Sequence, residues 1–256
     1  MPVVNYFIAG LAAVAAGFIN AMAGGGTLVT FPVLIAIGLP AVSANVTNTV
    51  SLLPGYLGGT MAQSSDLQGQ KSRLLMLIPA GVLGGLTGGI LLLRTGEKLF
   101  TQLVPFLILL ASALLAVQNP IRKWLTHQQE EGRTKPTKEL WAFIPIFIAS
   151  IYGGYFGAGL SVIILAVLGL IMNNSLTRLN AIKQLIAFSA NAAAALLFVF
   201  SGKINWIVAL VMAVGALLGG SLGGRFAGQV KPVTLRWIVV TIGFVVGTIY
   251  LIRLFI

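Results

Sequence analysis

Gly84-Gly85-Leu86-Thr87-Gly88-Gly89 returns 135 residues later as Gly219-Gly220-Ser221-Leu222-Gly223-Gly224, and that recurrence decides the fold. At the same offset and without a gap, Ala23-Gly24 falls on Ala158-Gly159, Asn45 on Asn180 and Asn48 on Lys183. In a chain with 31 glycines one coincidence carries little weight. Two GGxxGG blocks in register with polar pairs mark an internal duplication. The copies run from about 4 to 118 and from about 139 to 254. The chain therefore divides into a first repeat over 1–118, a second over 139–256, and between them the one dense polar run, 119–138, read as a solvated linker.

Composition says where such a unit can live. Of 256 residues, 57% are apolar and 8% charged, with a mean hydropathy of +0.98, which excludes a water-soluble globule. The formal charge of +11 would suggest a nucleic-acid partner in a soluble protein. Here the bases belong to the loops of a bilayer protein, and no nucleic acid is expected. The absence of cysteine rules out disulfides, thiolate metal sites and cysteine nucleophiles. With one His and five acids, little remains for a hydrolytic or metal centre, so no enzyme, catalytic residue, metal or cofactor is expected. GxxxxGK[ST] is absent as well, so ATP hydrolysis would need another subunit.

Each copy holds five apolar stretches: 5–22, 26–37, 44–62, 74–93 and 100–118, then 141–157, 159–171, 181–200, 206–224 and 236–252. Most reach the roughly 17–25 residues of a spanning helix, the only open-ended structure that satisfies its own backbone in hydrocarbon. The second stretch of each copy, 12 or 13 residues, is too short. Stretches one and two are expected to form a broken hairpin, bent at Gly24-Gly25-Gly26 and at Gly157-Ala158-Gly159. Each copy then makes an odd number of crossings, so the second lies upside down relative to the first. Lys and Arg collect on the cytoplasmic side. With the linker inside, the inverted arrangement puts Lys71, Arg73, Arg122, Lys123, Arg133, Lys135, Lys138, Arg178, Arg225, Lys231 and Arg236 in the cytoplasm and leaves Arg94, Lys98, Lys203 and Arg253 outside. A parallel arrangement gives a weaker bias. Both termini are expected outside. Ala21-Met22-Ala23 imitates a signal-peptidase site, but residues 1–20 lack a basic n-region, so cleavage is not expected.

Few polar residues remain at membrane depth. The bends Gly24-Gly25-Gly26-Thr27 and Gly159-Leu160-Ser161 read either as tight packing turns or as breakpoints where backbone N–H groups and a half-helix N-terminus face an anion. Asn45, Thr47, Asn48 and Asn180 open the third segment of each copy, as helix caps or as donors to a ligand. Lys183 lies just inside an apolar stretch, where a cation either snorkels to the interface or faces a cavity as a counter-ion. Asn20 and Asn191 serve equally as interhelical glue. The GGxxGG blocks are packing surfaces, and Trp124, Trp141, Trp206 and Trp237 are interfacial anchors. The five acids fall in loops or at segment edges, which disfavours a buried proton relay. These features leave an anion carrier, a passive anion channel or a non-transporting accessory subunit.

The residues also resemble a known family. Gly17-Phe18-Ile19-Asn20-Ala21-Met22-Ala23-Gly24-Gly25-Gly26-Thr27, then Phe31-Pro32-Val33-Leu34 and Ala44-Asn45-Val46-Thr47-Asn48, are similar to the first-copy signature of the sulfite exporter TauE/SafE family. Gly154-Tyr155-Phe156-Gly157-Ala158-Gly159 and Leu179-Asn180-Ala181-Ile182-Lys183 resemble the second-copy blocks. In copy two Gly159-Leu160-Ser161 replaces a full glycine triplet, and nothing matches Pro32. The resemblance implies an all-α polytopic permease of the bacterial inner membrane. It further implies export of small sulfur-containing anions, sulfite or organosulfonates such as sulfoacetate, and with no nucleotide-binding loop the export is expected to run without ATP. Carried over residue by residue, the resemblance supports Gly24, Gly25, Gly26, Asn45, Thr47, Asn48, Gly157, Gly159, Asn180 and Lys183 as substrate-binding positions, and the bends themselves add Thr27 and Ser161.

Overall fold

An apolar chain in hydrocarbon has to satisfy its own backbone, and every regular element among the described residues is helical. The computed structural model describes residues 1–22, 24–130, 139–172, 174–226 and 231–255. Ala23, Glu131, Arg133, Lys135 and Lys138 lie outside the described residues. The helices are α1 (Val3–Met22), α2 (Thr27–Ala36), α3 (Ala41–Ala62), α4 (Lys71–Glu130), α5 (Phe143–Tyr155), α6 (Leu160–Ile171), α7 (Leu176–Val199), α8 (Trp206–Arg225) and α9 (Pro232–Phe255), with 3-10 turns at Ser64–Leu67 and Glu139–Ala142.

The long α4 is interrupted at Gly96, whose φ of 74° and ψ of 169° suit a residue without a Cβ. Its arms, 71–95 and 97–130, hold the fourth and fifth segments expected for copy one. The repeat offset survives in the element starts: α3 at Ala41 and α7 at Leu176, α4 at Lys71 and α8 at Trp206, the second arm at 97 and α9 at Pro232, each pair 135 residues apart. Among the described residues five helices are long and apolar enough to cross a membrane: Val3–Met22, Lys71–His127, Leu176–Val199, Trp206–Gly223 and Pro232–Phe255. The second of these, at 57 residues, has the length of two crossings. α3 has the length but not the hydropathy, because Asn45, Thr47, Asn48, Thr49 and Ser51 interrupt it.

Two elements depart from expectation. α5 has 13 residues, because 139–142 wind as a 3-10 turn and the helix ends before Phe156 (φ −138°). α4 runs past the expected end at 118, so 119–130 is helical although it was read as linker. The reason lies in Ile121 and Leu125, one turn apart: Leu125 is buried against Gly169 of α6, where any side chain would displace it.

Packing between the copies is reciprocal. On α8, a Cβ at Gly219 would collide with the Val14 carbonyl of α1 and one at Gly223 would press on Phe18. On the first arm of α4, Gly84 and Gly88 sit against the Phe147 and Ile151 carbonyls of α5, while Gly85 meets Ala190 of α7. The first helix of each copy thus packs on the fourth helix of the other, through the GGxxGG blocks. The fifth helices cross antiparallel, Gly243 against Ser112 and Gly247 against Leu109. Phe31 stands edge-on to Phe100 and Phe156, with centroids 6.4 and 5.3 Å apart, and anchors the larger core.

One face of the bundle is stitched together by polar contacts. The Asn5 side chain donates to the Ile37 carbonyl (3.1 Å), and the Val42 N–H donates to both Glu97 carboxylate oxygens (3.2 Å each). Ser43 Oγ donates to the Lys203 carbonyl (2.6 Å) and the Asn205 N–H to Thr47 Oγ1 (3.1 Å). α1, α3, the second arm of α4 and α8 all start at this face and end at the other, here called the linker face. Lys71, Arg73, Arg122, Lys123, Arg178, Arg225, Lys231 and Arg236 belong to the linker face, and Arg94, Lys98, Lys203 and Arg253 to the stitched face.

Gly219→Ala and Gly88→Ala should each weaken the fold by about 1–3 kcal/mol through overpacking, lowering the melting temperature in detergent. Gly58→Ala, whose Cβ would meet nothing within 4 Å, should leave it unchanged.

Candidate functional site

Both bends occur where the glycines stand. Between α1 and α2, Gly24 and Gly25 take left-handed φ of 80° and 94°. Between α5 and α6, Gly157 and Gly159 do so at 81° and 80°. The first bend is fastened by the Gly26 N–H, which donates to Asn20 Oδ1 at 2.7 Å. The second is fastened by the Tyr152 hydroxyl, which donates to the Ala158 carbonyl at 2.6 Å. α2 and α6 therefore run back into the bundle as half-length helices, each starting below the surface.

Between the bends lies a cavity of about 590 Å³. Its wall takes Gly17 and Asn20 from α1, Leu52 and Tyr56 from α3 and Leu115, Gln118 and Arg122 from the second arm of α4. It adds Thr177, Asn180, Lys183 and Gln184 from α7, Ala216 and Gly220 from α8 and Arg236 from α9. Both bends contribute, through Gly24, Gly25, Thr27, Gly157, Gly159 and Ser161. The helix segments on the wall are the linker-side halves, so the chamber faces the linker face. Gly55 and Gly58 leave open space before α3, which widens it.

Charge on this wall is one-sided. Arg122, Lys183 and Arg236 reach it, against one wall acid, Asp66. Arg122 is close enough to Lys183 and to Arg236 to repel both. Lys183 is half-buried, and its Nζ donates to Asn180 Oδ1 at 3.0 Å. Asn180 is itself held by donating from Nδ2 to the Leu176 carbonyl at 2.9 Å. Arg236 is 4% exposed, and its Nε and Nη1 have no hydrogen-bond partner. Gln118, buried beside the same wall, leaves its Oε1 without one. A buried guanidinium with unanswered N–H groups is costly unless something accepts from it. A small anion in the chamber would supply both the acceptors and the opposite charge.

Of the positions singled out in the sequence, Gly24, Gly25, Thr27, Gly157, Gly159, Ser161, Asn180 and Lys183 share this wall, whereas Gly26, Asn45, Thr47 and Asn48 do not reach it. Gly26 is pressed against Ala16 on α1. Asn45 donates to the Tyr155 carbonyl at 2.8 Å, Thr47 receives the Asn205 N–H, and Asn48 is 2% exposed inside the bundle. Several of the expected donors are engaged within the chain. The N–H of Gly24 goes to Ile19 O (3.0 Å), that of Gly26 to Asn20, and that of Gly157 to Tyr152 O (3.1 Å). The amides of Asn45 and Asn180 each give one N–H to a backbone carbonyl. The sequence alone reads Arg122 and Arg236 as loop charges and places Gln118 at a helix end. Leu115, Gln118 and Arg122, spaced three and four apart, share one helical face, a signal hidden by ending the helix at 118.

Comparison with known proteins adds the lineage. Residues 9–250 match the family described as Sulfite exporter TauE/SafE. A "Probable membrane transporter protein" of Haemophilus influenzae is 27% identical over 229 residues, covering 90% of this chain and 88% of that protein. "Probable membrane transporter protein YfcA" of Escherichia coli K12 is 27% identical over 227 residues, covering 87% and 79%. "Probable membrane transporter protein ORF9" of a Sinorhizobium species is 27% identical over 221 residues, covering 85% and 81%. No solved structure matches. With its long apolar helices, a chamber between two glycine bends and a family match over residues 9–250, the chain belongs to the sulfite exporter TauE/SafE family and is a multi-pass membrane transporter.

Proposed function

We propose that the protein is a carrier that exports small sulfur oxyanions, sulfite or organosulfonates such as sulfoacetate, across the bacterial inner membrane. The observation that carries this reading is the convergence of Lys183, Arg122 and Arg236 on one chamber with a single acid. The family description supports sulfite as the head of the substrate list. Arg122 stands on the helical extension of copy one's fifth helix and Lys183 on copy two, so the anion binds where the repeats meet. Within the chamber Lys183 supplies charge, Asn180 positions Lys183, and the buried Arg236 supplies unpartnered N–H donors. Gly24, Gly25, Thr27, Gly157, Gly159 and Ser161 shape the wall.

The reciprocal packing and the antiparallel fifth helices support two repeats of inverted topology, 1–118 and 139–256, joined by 119–138. The excess of Lys and Arg on the linker face supports placing that face in the cytoplasm and both termini in the periplasm. The chamber is then loaded from inside the cell. A cytoplasm-negative potential drives an anion outward by about 2.3 kcal/mol per elementary charge per 100 mV, so no ATP is needed. The stitched face, closed by the Val42–Glu97 and Ser43–Lys203 contacts, favours a carrier over a continuously open channel.

Lys183→Ala and Arg236→Gln should each cut sulfite efflux from proteoliposomes at least tenfold with the protein still folded. Unchanged flux in both would overturn the assignment. Because the chain has no cysteine, Ser161→Cys gives a single reporter thiol. It should react with an impermeant anionic methanethiosulfonate from the linker face and be shielded by sulfoacetate. Ser51→Cys, at a position 1% exposed and off the wall, should not react. Equal labelling of the two would argue against the chamber as the binding place.

A further inference from the structure

Position for position, Asn45 and Asn48 on α3 are the counterparts of Asn180 and Lys183 on α7, at the same 135-residue offset. In both helices the pair is one turn apart on one face. On α7 the arrangement is complete, because Asn180 Oδ1 accepts from the Lys183 ammonium at 3.0 Å. On α3 the second residue is a neutral amide, and the arrangement lacks its positive member. Asn45 Oδ1 and Asn48 Oδ1 are both buried without any hydrogen-bond partner, in residues 1% and 2% exposed. The Asn45 amide cannot be turned over to remove the mismatch, since its Nδ2 is committed to the Tyr155 carbonyl at 2.8 Å. Two unanswered acceptors at such depth call for a donor or a cation.

We propose that a small alkali-metal cation binds between Asn45 Oδ1 and Asn48 Oδ1, taking in copy one the place that the Lys183 ammonium holds in copy two. Amide oxygens are hard, neutral ligands. They suit a monovalent ion, whereas calcium and magnesium sites rely on carboxylates that Asn45 and Asn48 do not supply. Neither amide takes up a proton near neutral pH, so a proton is not the occupant. The site stands immediately behind the second bend: Tyr155, which Asn45 grips, ends α5, and Gly157 and Gly159 follow on the chamber wall. A cation there favours an anion at the bend, so occupancy of the two sites would be coupled. This inference goes beyond the anion reading and concerns different residues.

The test uses the full-length protein purified in detergent, unfolded thermally in choline, potassium, sodium or lithium chloride at equal ionic strength. The expected result is a saturable rise in the unfolding midpoint with one alkali ion over choline, lost in Asn45→Ala and Asn48→Ala. Asn48→Asp, close in shape and carrying a charge, should lower the half-saturating cation concentration at least tenfold. It also keeps the test decisive if the alanine variants do not fold. Asn48→Lys, which tethers an ammonium as in copy two, should give a midpoint that no longer responds to cations. Identical midpoints in choline and all three alkali salts would overturn the site. So would an alkali response that Asn45→Ala and Asn48→Ala leave intact, or one whose half-saturation Asn48→Asp does not move. A parallel flux assay in proteoliposomes is expected to show sulfite transport that rises with the same ion. Sulfite flux equal in choline and alkali media overturns the coupling and leaves the anion carrier standing. No flux in any medium strikes the carrier reading instead, while the unfolding midpoints still decide the cation site.

Discussion

Backbone meets backbone at the GGxxGG seams, and the remaining architecture hangs from that approach. Gly219 lies under the Val14 carbonyl and Gly88 under that of Ile151, so α1 is clamped to α8 and α5 to α4. In lipid, where apolar side chains gain nothing from leaving one another's company, such close van der Waals contact is what holds helices together. The seams also interleave the copies, because each contributes its first helix to the other. α1 and α5 end in the two bends, so fixing these helices fixes the bends across from each other. The chamber is therefore a product of the seams.

Electrostatics then gives the chamber its character. A water-filled pocket facing one side of a membrane can hold three cations and one acid, because solvent screens what the apolar interior would not. Arg236 is the exception, being 4% exposed with donors unanswered. On the proposed anion reading, a bound acceptor would relieve the cost of that burial, the kind of differential interaction that any ligand-driven conformational step requires. Asn180 acts at one remove: it touches the Lys183 ammonium and holds it over the wall.

Much of the fold was legible because glycine leaves a mark that periodicity does not. The GGxxGG blocks marked where helices pack closest, and the short stretches after Gly26 and Gly159 marked the two half-length helices. Gly24, Gly25, Gly157 and Gly159 turn where they were expected to turn, since left-handed backbone is open to few other residues. What stayed hidden depended on tertiary distance. Nothing local to 119–130 says that Leu125 finds a slot at Gly169, so the helix looked like a linker and Arg122 like a loop charge. Arg236, four residues after the start of α9, reads from sequence as a cytoplasmic loop charge, and only the approach of α4 and α9 turns it inward. Asn45 and Asn48 were legible as unusual and not as buried, because burial is decided by neighbours such as Tyr155 that lie 110 residues away.

The helical extension of α4 beyond residue 118 alters what joins the two halves. Two repeats connected by a slack cord would move independently, each at its own pace. Here residues 119–130 continue α4 as helix, pinned where Leu125 sits in the notch at Gly169, with Arg122 on the chamber wall. The pin therefore ties the place of a chamber cation to the packing of α6 against α4.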